Sequence, residues 1–202
     1  MSKSSKTVRF AEVDRETAET EVRLTLDLDG GSKVDVDTGI PFFDHMLQQL
    51  GFHGQVDLGV KAMGDTDVDD HHTIEDTGIV IGVGIKRALD PSEGIARFGS
   101  VHAPMDDALV LVAMDVCGRG YLSYDVPFTR ESIGGFSLEN VREFFQALAL
   151  NAGITLHIKK ISGHNDHHVC EAVFKGFGVA LHAALQRTER IGTPSTKGKI
   201  GT

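Results

Sequence analysis

The chain predicts an α+β fold made of two copies of one ββαβα unit. Three observations carry this. Asp70-His71-His72-Thr73-Ile74-Glu75 returns as Asp166-His167-His168-Val169-Cys170-Glu171, 96 residues later (167 − 71 = 96). The likeness continues at the same offset, with Gly82 matched by Gly178 and Ala88-Leu89 by Ala184-Leu185. Strand-like alternation and helix-like spacing then follow in the same order in both halves. Each half is expected to lay helices on one face of a sheet, and the two helix layers to pack together.

The elements follow in order. Val22 to Leu28 alternates apolar and polar residues, as a half-buried strand does. Asp29-Gly30-Gly31-Ser32 is turn chemistry, and Val34 to Val36 resumes a strand, so the two are expected as a hairpin. Pro41 opens a helix to Leu50, with Phe42, Phe43, Met46, Leu47 and Leu50 at helical spacing and Gly51 and Gly54 at its end. Gln55 to Ala62 alternates again. Asp69 or Asp70 can cap a second helix to Leu89, with Pro91 just beyond.

From Ala108 the order restarts. Leu109 to Val116 is a strand, Gly118-Arg119-Gly120 a turn, and Tyr121 to Val126 the return strand. Ser137 can cap a helix to Asn151; Gly153 to Ile161 is a strand; Asp166 opens a helix to Gln186. The two preceding helices align at an offset of 98, His45-Met46-Leu47-Gln48 against Glu143-Phe144-Phe145-Gln146. The organisation expected is a tail over 1–8, half-domains over 9–92 and 93–190, and a basic tail over 191–202.

Composition is that of a soluble globular protein, 41% hydrophobic and 24% charged over 202 residues. A net charge of −9 argues against nucleic acid as partner. Two cysteines make no disulfide framework, and no apolar run is long enough for a membrane span. The polar N-terminus lacks a secretory signal, so a cytoplasmic location is expected.

The repeated motif reads as metal chemistry. A helix turns about 100° per residue, so His71 and Glu75 share a face, as do His167 and Glu171, while His72 and His168 point elsewhere. Adjacent histidines therefore serve different ions. With His45 and its counterpart Glu143 added, two sets are expected: His45, His71, Glu75 and His168; and His72, Glu143, His167 and Glu171. Their partners can come from different subunits. Imidazole and carboxylate without thiolate suit Mn, Fe, Co, Ni or Zn. A single copy would more often be a solvated helix start; the copy in register is what tips the reading. Cys170 stands where the first copy has Ile74, an apolar core position.

Basic residues in small-residue loops suit a phosphate: Arg97 in Glu93-Gly94-Ile95-Ala96-Arg97-Phe98-Gly99, Arg119 in its tight turn, Lys175 one turn after Glu171, and Ser195 and Lys197 in the tail. Glu19 stands just before the first strand, and Asp106 with Asp107 before the strand that begins the second half.

Arg15-x-Thr17-x-Glu19-Thr20, Phe42-Phe43-Asp44-His45-Met46-Leu47, Asp69 to Asp76, His167 to Glu171 and Pro194 to Gly198 together resemble the imidazoleglycerol-phosphate dehydratases of histidine biosynthesis. The resemblance runs from Val8 to the C-terminus. It implies a duplicated fold of two four-stranded sheets with helix pairs between them, of the kind seen in ribosomal protein S5 domain 2. It implies dehydration of D-erythro-imidazole-glycerol phosphate to imidazole-acetol phosphate, with the ring held as imidazolate by two Mn ions. It also implies a homo-oligomer, usually of 24 subunits, with sites between them. Carried over, His45, His71, His72, Glu75, His167, His168 and Glu171 match metal positions. Position 143 is often His in the family; here it is Glu143, and a carboxylate can serve. Glu19, Gln49, His53 and Asp106 match substrate contacts, and Arg97, Arg119, Lys175, Ser195 and Lys197 the phosphate set. Glu19, Glu75 and Glu171 are the carboxylates that could move the proton. The rival readings are a dinuclear metallohydrolase and a metal-storage protein. Neither gives the basic set a purpose.

Overall fold

The computed structural model describes residues 8–89 and 94–188. The first half runs β1 (Phe10–Glu16), β2 (Thr20–Asp27), β3 (Val34–Asp37), α1 (Pro41–Gly54), β4 (Asp57–Gly64) and α2 (His71–Ala88). The second runs β5 (Phe98–Met105), β6 (Ala108–Val116), β7 (Tyr121–Asp125), the short pair β8 (Ser132–Ile133) and β9 (Phe136–Ser137), α3 (Asn140–Ala152), β10 (Ile154–Ser162) and α4 (Asp166–Leu185). Each half thus carries the expected ββαβα run behind one more strand. The sheet orders are β1-β2-β4-β3 and β5-β6-β10-β7.

Both expected hairpins are corrected. β3 lies parallel to β4, and β7 parallel to β10. In each case a helix carries the chain over the sheet, and the following strand inserts between the two that were expected to pair. The loop after β2 shows why. Gly31 and Lys33 both donate their N–H to Asp57 Oδ1 at 2.8 Å, so the loop is tied to the start of β4. β1 and β5 were not foreseen either. Along β1 only Ala11 and Val13 are buried, too little apolar alternation to betray a strand.

The register makes the duplication measurable. In the first sheet Ala11 pairs with Leu26, Leu24 with Val60 and Val36 with Val60. In the second, Gly99 pairs with Met114, Val112 with Ile158 and Tyr124 with Ile158. The first three strands are therefore offset by 88 (112 − 24), and β4 to β10 by 98 (158 − 60). The second half holds ten more residues between β7 and α3, and β8 and β9 lie in that stretch. Ser137 accordingly sits in β9 rather than capping α3, which starts at Asn140.

The four helices fill the space between the sheets, with α1 beside α4 and α2 beside α3. Phe43, Phe144, Phe145, Phe174 and Phe177 are wholly buried there, and Phe144 stacks on Phe174 at 5.4 Å between ring centres. Burying each ring contributes about 3 kcal/mol. Cys170 and Ile74 are both fully buried, as an apolar slot requires, and burial pushes the Cys170 thiol up. No helix of the described residues is long and apolar enough to cross a membrane.

Candidate active site

Two parallel helices build the main cluster. On α1, His45, Gln49 and His53 recur every four residues; on α4, His167, Glu171 and Lys175 do the same. His45 Nε2 donates to Glu171 Oε1 at 2.7 Å, His167 Nε2 donates to the same oxygen at 3.2 Å, and Lys175 Nζ donates to Oε2 at 2.5 Å. Burial pushes the pKa of the Glu171 carboxyl up, but the bonds from Lys175 and His45 outweigh it and hold the pKa at about 2. Phe42 closes one side, its ring 5.2 Å from that of His167. His53 lies further along. Burial first, then the charge of Lys175, lowers its pKa against the opposing pull of Glu171.

This grouping, seen in one chain, differs from the expected sets, whose partners can come from different subunits. Within the chain His45 joins His167 and Glu171, not His71 and Glu75. The reason is packing: α1 lies against α4, so these side chains meet across the halves. α2 and α3 repeat the arrangement. His71 Nε2 is 3.7 Å from Glu75, its Nδ1 donates to Asn140 on α3 at 3.1 Å, and Glu143 is one turn beyond Asn140. Glu143 accepts from Arg142 at 2.9 Å.

The second histidine of each pair turns away, as helix geometry requires. The rings of His71 and His72 are 78° apart, and those of His167 and His168 86°. His72 Nδ1 donates to Asp65 at 3.1 Å, with Glu19 at 3.8 Å. The Asp65 carboxylate, ahead of the burial that opposes it, raises the pKa of His72. His168 Nδ1 donates to Asp107 at 2.7 Å, with Asp106 3.5 Å from its Nε2. Asp107 also accepts from His164 N and Asn165 N, and the first of these leads in holding its carboxyl well below the usual range. A carboxylate on Nδ1 fixes an imidazole so that Nε2 is the ligating atom.

Asp65 and Asn140 were missed by sequence reasoning, and Asp107 was noted only as an acid before the strand that begins the second half. Asp107 had a signal, since at the strand offset of 88 it occupies the place of Glu19. The Arg15-x-Thr17-x-Glu19-Thr20 motif is now explained. Thr17 Oγ1 accepts from Glu19 N at 3.1 Å and Thr20 N at 2.9 Å, while Arg15 and Thr20 both donate to the buried Asp76. The bracket presents Glu19, itself exposed, beside His72.

The basic residues separate. Lys175 belongs to the cluster. Arg97 does not: its N–H donates to Ala184 O, thirteen residues along α4 from Glu171, which is about 20 Å at 1.5 Å per residue. Its guanidinium forms a fork on Asp115 at 2.6 and 3.0 Å and covers the Phe98 ring. Arg119 is exposed at the same end, where its carbonyl accepts from Thr155. Ser195 and Lys197 lie outside the described residues, as does the expected boundary at 92/93.

The donor chemistry fits a divalent ion. His45, His167 and Glu171 offer ligand atoms within 4.8 Å of one another, and so do Glu19, Asp65 and His72.

Residues 38–181 match the family described as imidazoleglycerol-phosphate dehydratase. The dehydratase of Clostridium acetobutylicum is 52% identical over 193 residues, covering 95% of this chain and 98% of its own. That of Desulforamulus reducens is 50% identical over the same shares. The crystal structure of the Staphylococcus aureus enzyme superposes with a TM-score of 0.81 at 37% identity, covering 89% of this chain and 99% of its own. A Pyrococcus furiosus structure gives 0.81 at 38%, covering 93% and 99%. With half its residues shared along nearly its whole length, and the same fold, the chain belongs to the imidazoleglycerol-phosphate dehydratase family and is a lyase.

Proposed function

We propose that this chain dehydrates D-erythro-imidazole-glycerol phosphate to imidazole-acetol phosphate in histidine biosynthesis, using two Mn ions per site held between copies of itself. The observation that carries the reading is the split of the ligand set. One chain gathers His45, His167 and Glu171 in one place and His71 and Glu75 in another, and aims His72 and His168 away from both. Each set has too few donors for a complete coordination shell, so a second copy supplies the rest. Arg97, about 20 Å from Glu171 along α4 at 1.5 Å per residue, reaches a shared phosphate only from another subunit. This supports a closed homo-oligomer, of 24 subunits in our reading.

His45, His71, His72, Glu75, Glu143, His167, His168 and Glu171 would hold the ions. When bound, the ions supply positive charge that stabilises charge building on the substrate ring. The chain's own residues do the rest. Gln49 and His53 extend the α1 row past the metal cluster, beside Lys175. At the family offsets their counterparts are Ala147, Asn151 and Ile79, so only the α1–α4 side continues as a polar, cationic track. That track suits the phosphate end of the substrate. Glu171 accepts from three cationic or N–H donors and stays a carboxylate, which suits a ligand better than an acid. Glu19, exposed, fixed through its backbone and with its carboxylate 3.8 Å from His72, is the carboxylate placed to move a proton at the hydroxyl end. Asp106 stands beside His168.

The test is to strip divalent metal, restore Mn, and follow both dehydration of imidazole-glycerol phosphate and particle size. Mn-dependent turnover in a large particle supports the proposal. Turnover without metal, or none with Mn restored, ends it.

A further inference from the structure

One segment holds both histidine-bearing helix starts. It is the stretch between β7 and α3, where the second half has ten more residues than the first, the offset rising from 88 to 98. At its near end Thr129 donates its N–H and its hydroxyl to Asp166 Oδ2, at 2.8 and 2.7 Å, and Arg130 N donates to the same oxygen at 2.8 Å. Lys160 anchors the entry by donating to Pro127 O at 2.8 Å. At its far end Ser137 N donates to Asp70 Oδ2 at 2.7 Å, and Asn140 Nδ2 to Asp70 Oδ1 at 2.7 Å. Between the ends, the β8–β9 hairpin turns at Gly134-Gly135 (φ 58° and 83°) and drives Phe136, fully buried, against Phe42 and Phe43.

Asp70 immediately precedes His71, and Asp166 immediately precedes His167. An aspartate at such a position usually caps its own helix. Asp70 makes no such bond, and the donors on Asp166 come from Thr129 and Arg130 rather than from α4. Asp166 is only 2% exposed, and burying a carboxylate is costly unless donors meet it. Both carboxylates are therefore committed to the segment that joins them. Phe42 adds a third anchor, since its ring meets both Phe136 and His167.

We infer that residues 126–139 are a positioning strap that sets the α2 and α4 histidine pairs relative to each other, with Asp70 and Asp166 as its positioning residues. This rests on the reading that those pairs ligate metal. The strap has no counterpart in the first half, so a single added element ties together ligands that the duplication placed in separate halves.

Thr129→Val removes the hydroxyl donor at nearly constant shape, and Thr129→Ser keeps it. Each is made in the full chain, and two quantities are read: Mn(II) affinity by paramagnetic resonance, and amide hydrogen exchange over 71–78 and 167–174 without metal. Thr129→Val is expected to bind Mn about ten-fold more weakly, the usual scale for losing a supporting contact. It is also expected to speed exchange in both segments, including 71–78, which Thr129 does not touch. Thr129→Ser should restore both. Wild-type Mn affinity in Thr129→Val, or faster exchange confined to 167–174, overturns the strap. Should Thr129→Val not fold, Asp70→Asn asks the same question from the other end, with exchange over 167–174 as the distant readout. Failure of the wild-type chain to bind Mn overturns the metal reading instead, and the exchange experiment still decides on the strap.

Discussion

His45 Nε2 on α1 donates to Glu171 Oε1 on α4 at 2.7 Å, joining residues 126 apart in sequence. Glu171→Gln keeps the shape of that junction and removes its charge. Loss of a ligand of this kind is expected to abolish turnover and to weaken Mn binding at least as much as the roughly 10–100-fold cost of losing a supporting residue. It also changes stability against pH. The folded pKa of Glu171, about 2, lies below its ordinary 4.5. Its contribution is therefore fully present above the ordinary value and is lost as pH falls toward the folded one. In metal-free protein, acid unfolding should cost wild type more stability than Glu171→Gln across that interval. Parallel stability curves would show that the carboxylate is not held as described.

The bracket under Glu19 is polar in one half only. At the strand and helix offsets, Arg15, Thr20 and Asp76 correspond to Ala103, Ala108 and Ala172. The second half folds with alanine at all three. Replacing the whole cluster together leaves no buried charge unpaired, and such exchanges are often near neutral for stability. The triple variant Arg15→Ala, Thr20→Ala, Asp76→Ala should therefore fold and bind Mn while kcat falls, because Glu19 loses its fixed place beside His72. Unchanged kcat in a folded triple variant would remove Glu19 from the reaction. The single change Asp76→Ala should cost more stability than the triple, since it takes the acceptor from the buried Thr20 hydroxyl.

The geometry of the repeated motif was legible because it is local. A His-His-x-x-Glu segment fixes its own geometry through the helical turn, and its second copy needs only counting. The partner of each set was not legible, because it depends on which helix lies beside which. His45 and His71 are near in sequence but sit on helices that face different neighbours. Strand pairing failed for a related reason. Gly30 and Gly31 have the chemistry of a hairpin turn, and nothing local shows that Asp57 holds the loop open to admit β4. Asp107 became visible as the counterpart of Glu19 only once the register was known.

Lys175 lies between the metal cluster and the track toward His53. Its counterpart in the other half is Ile79, so an apolar side chain fits a helix pair of this geometry. Lys175→Met should raise KM for the phosphate substrate more than it weakens Mn binding. The His53 pKa should rise, because a positive charge that lowers it is gone while burial remains. Titration of the His53 ring by NMR reads this directly. An unchanged titration would place Lys175 away from that track.

The two helix pairs cross on matched glycines. A Cβ on Gly82 would stand 2.6 Å from Leu148 O, and one on Gly178 2.6 Å from Leu50 O, and both the glycines and the carbonyls are counterparts in the duplication. A helix backbone cannot yield as a side chain can. Alanine at either site gains about 1 kcal/mol of helix propensity. It loses more to overpacking, about 1–3 kcal/mol. Both single variants should therefore melt below wild type. Gly176→Ala is the control, because its Cβ would meet mainly the side chains of Val112 and Ala103. Gly178→Ala also forces α4 from α1, so it should weaken the His45–Glu171 junction and Mn binding, and Gly82→Ala, by forcing α2 from α3, should weaken Mn binding through the His71, Glu75 and Glu143 side. Wild-type Mn affinity in both variants, with both destabilised, would mean that helix spacing does not set the ligand geometry.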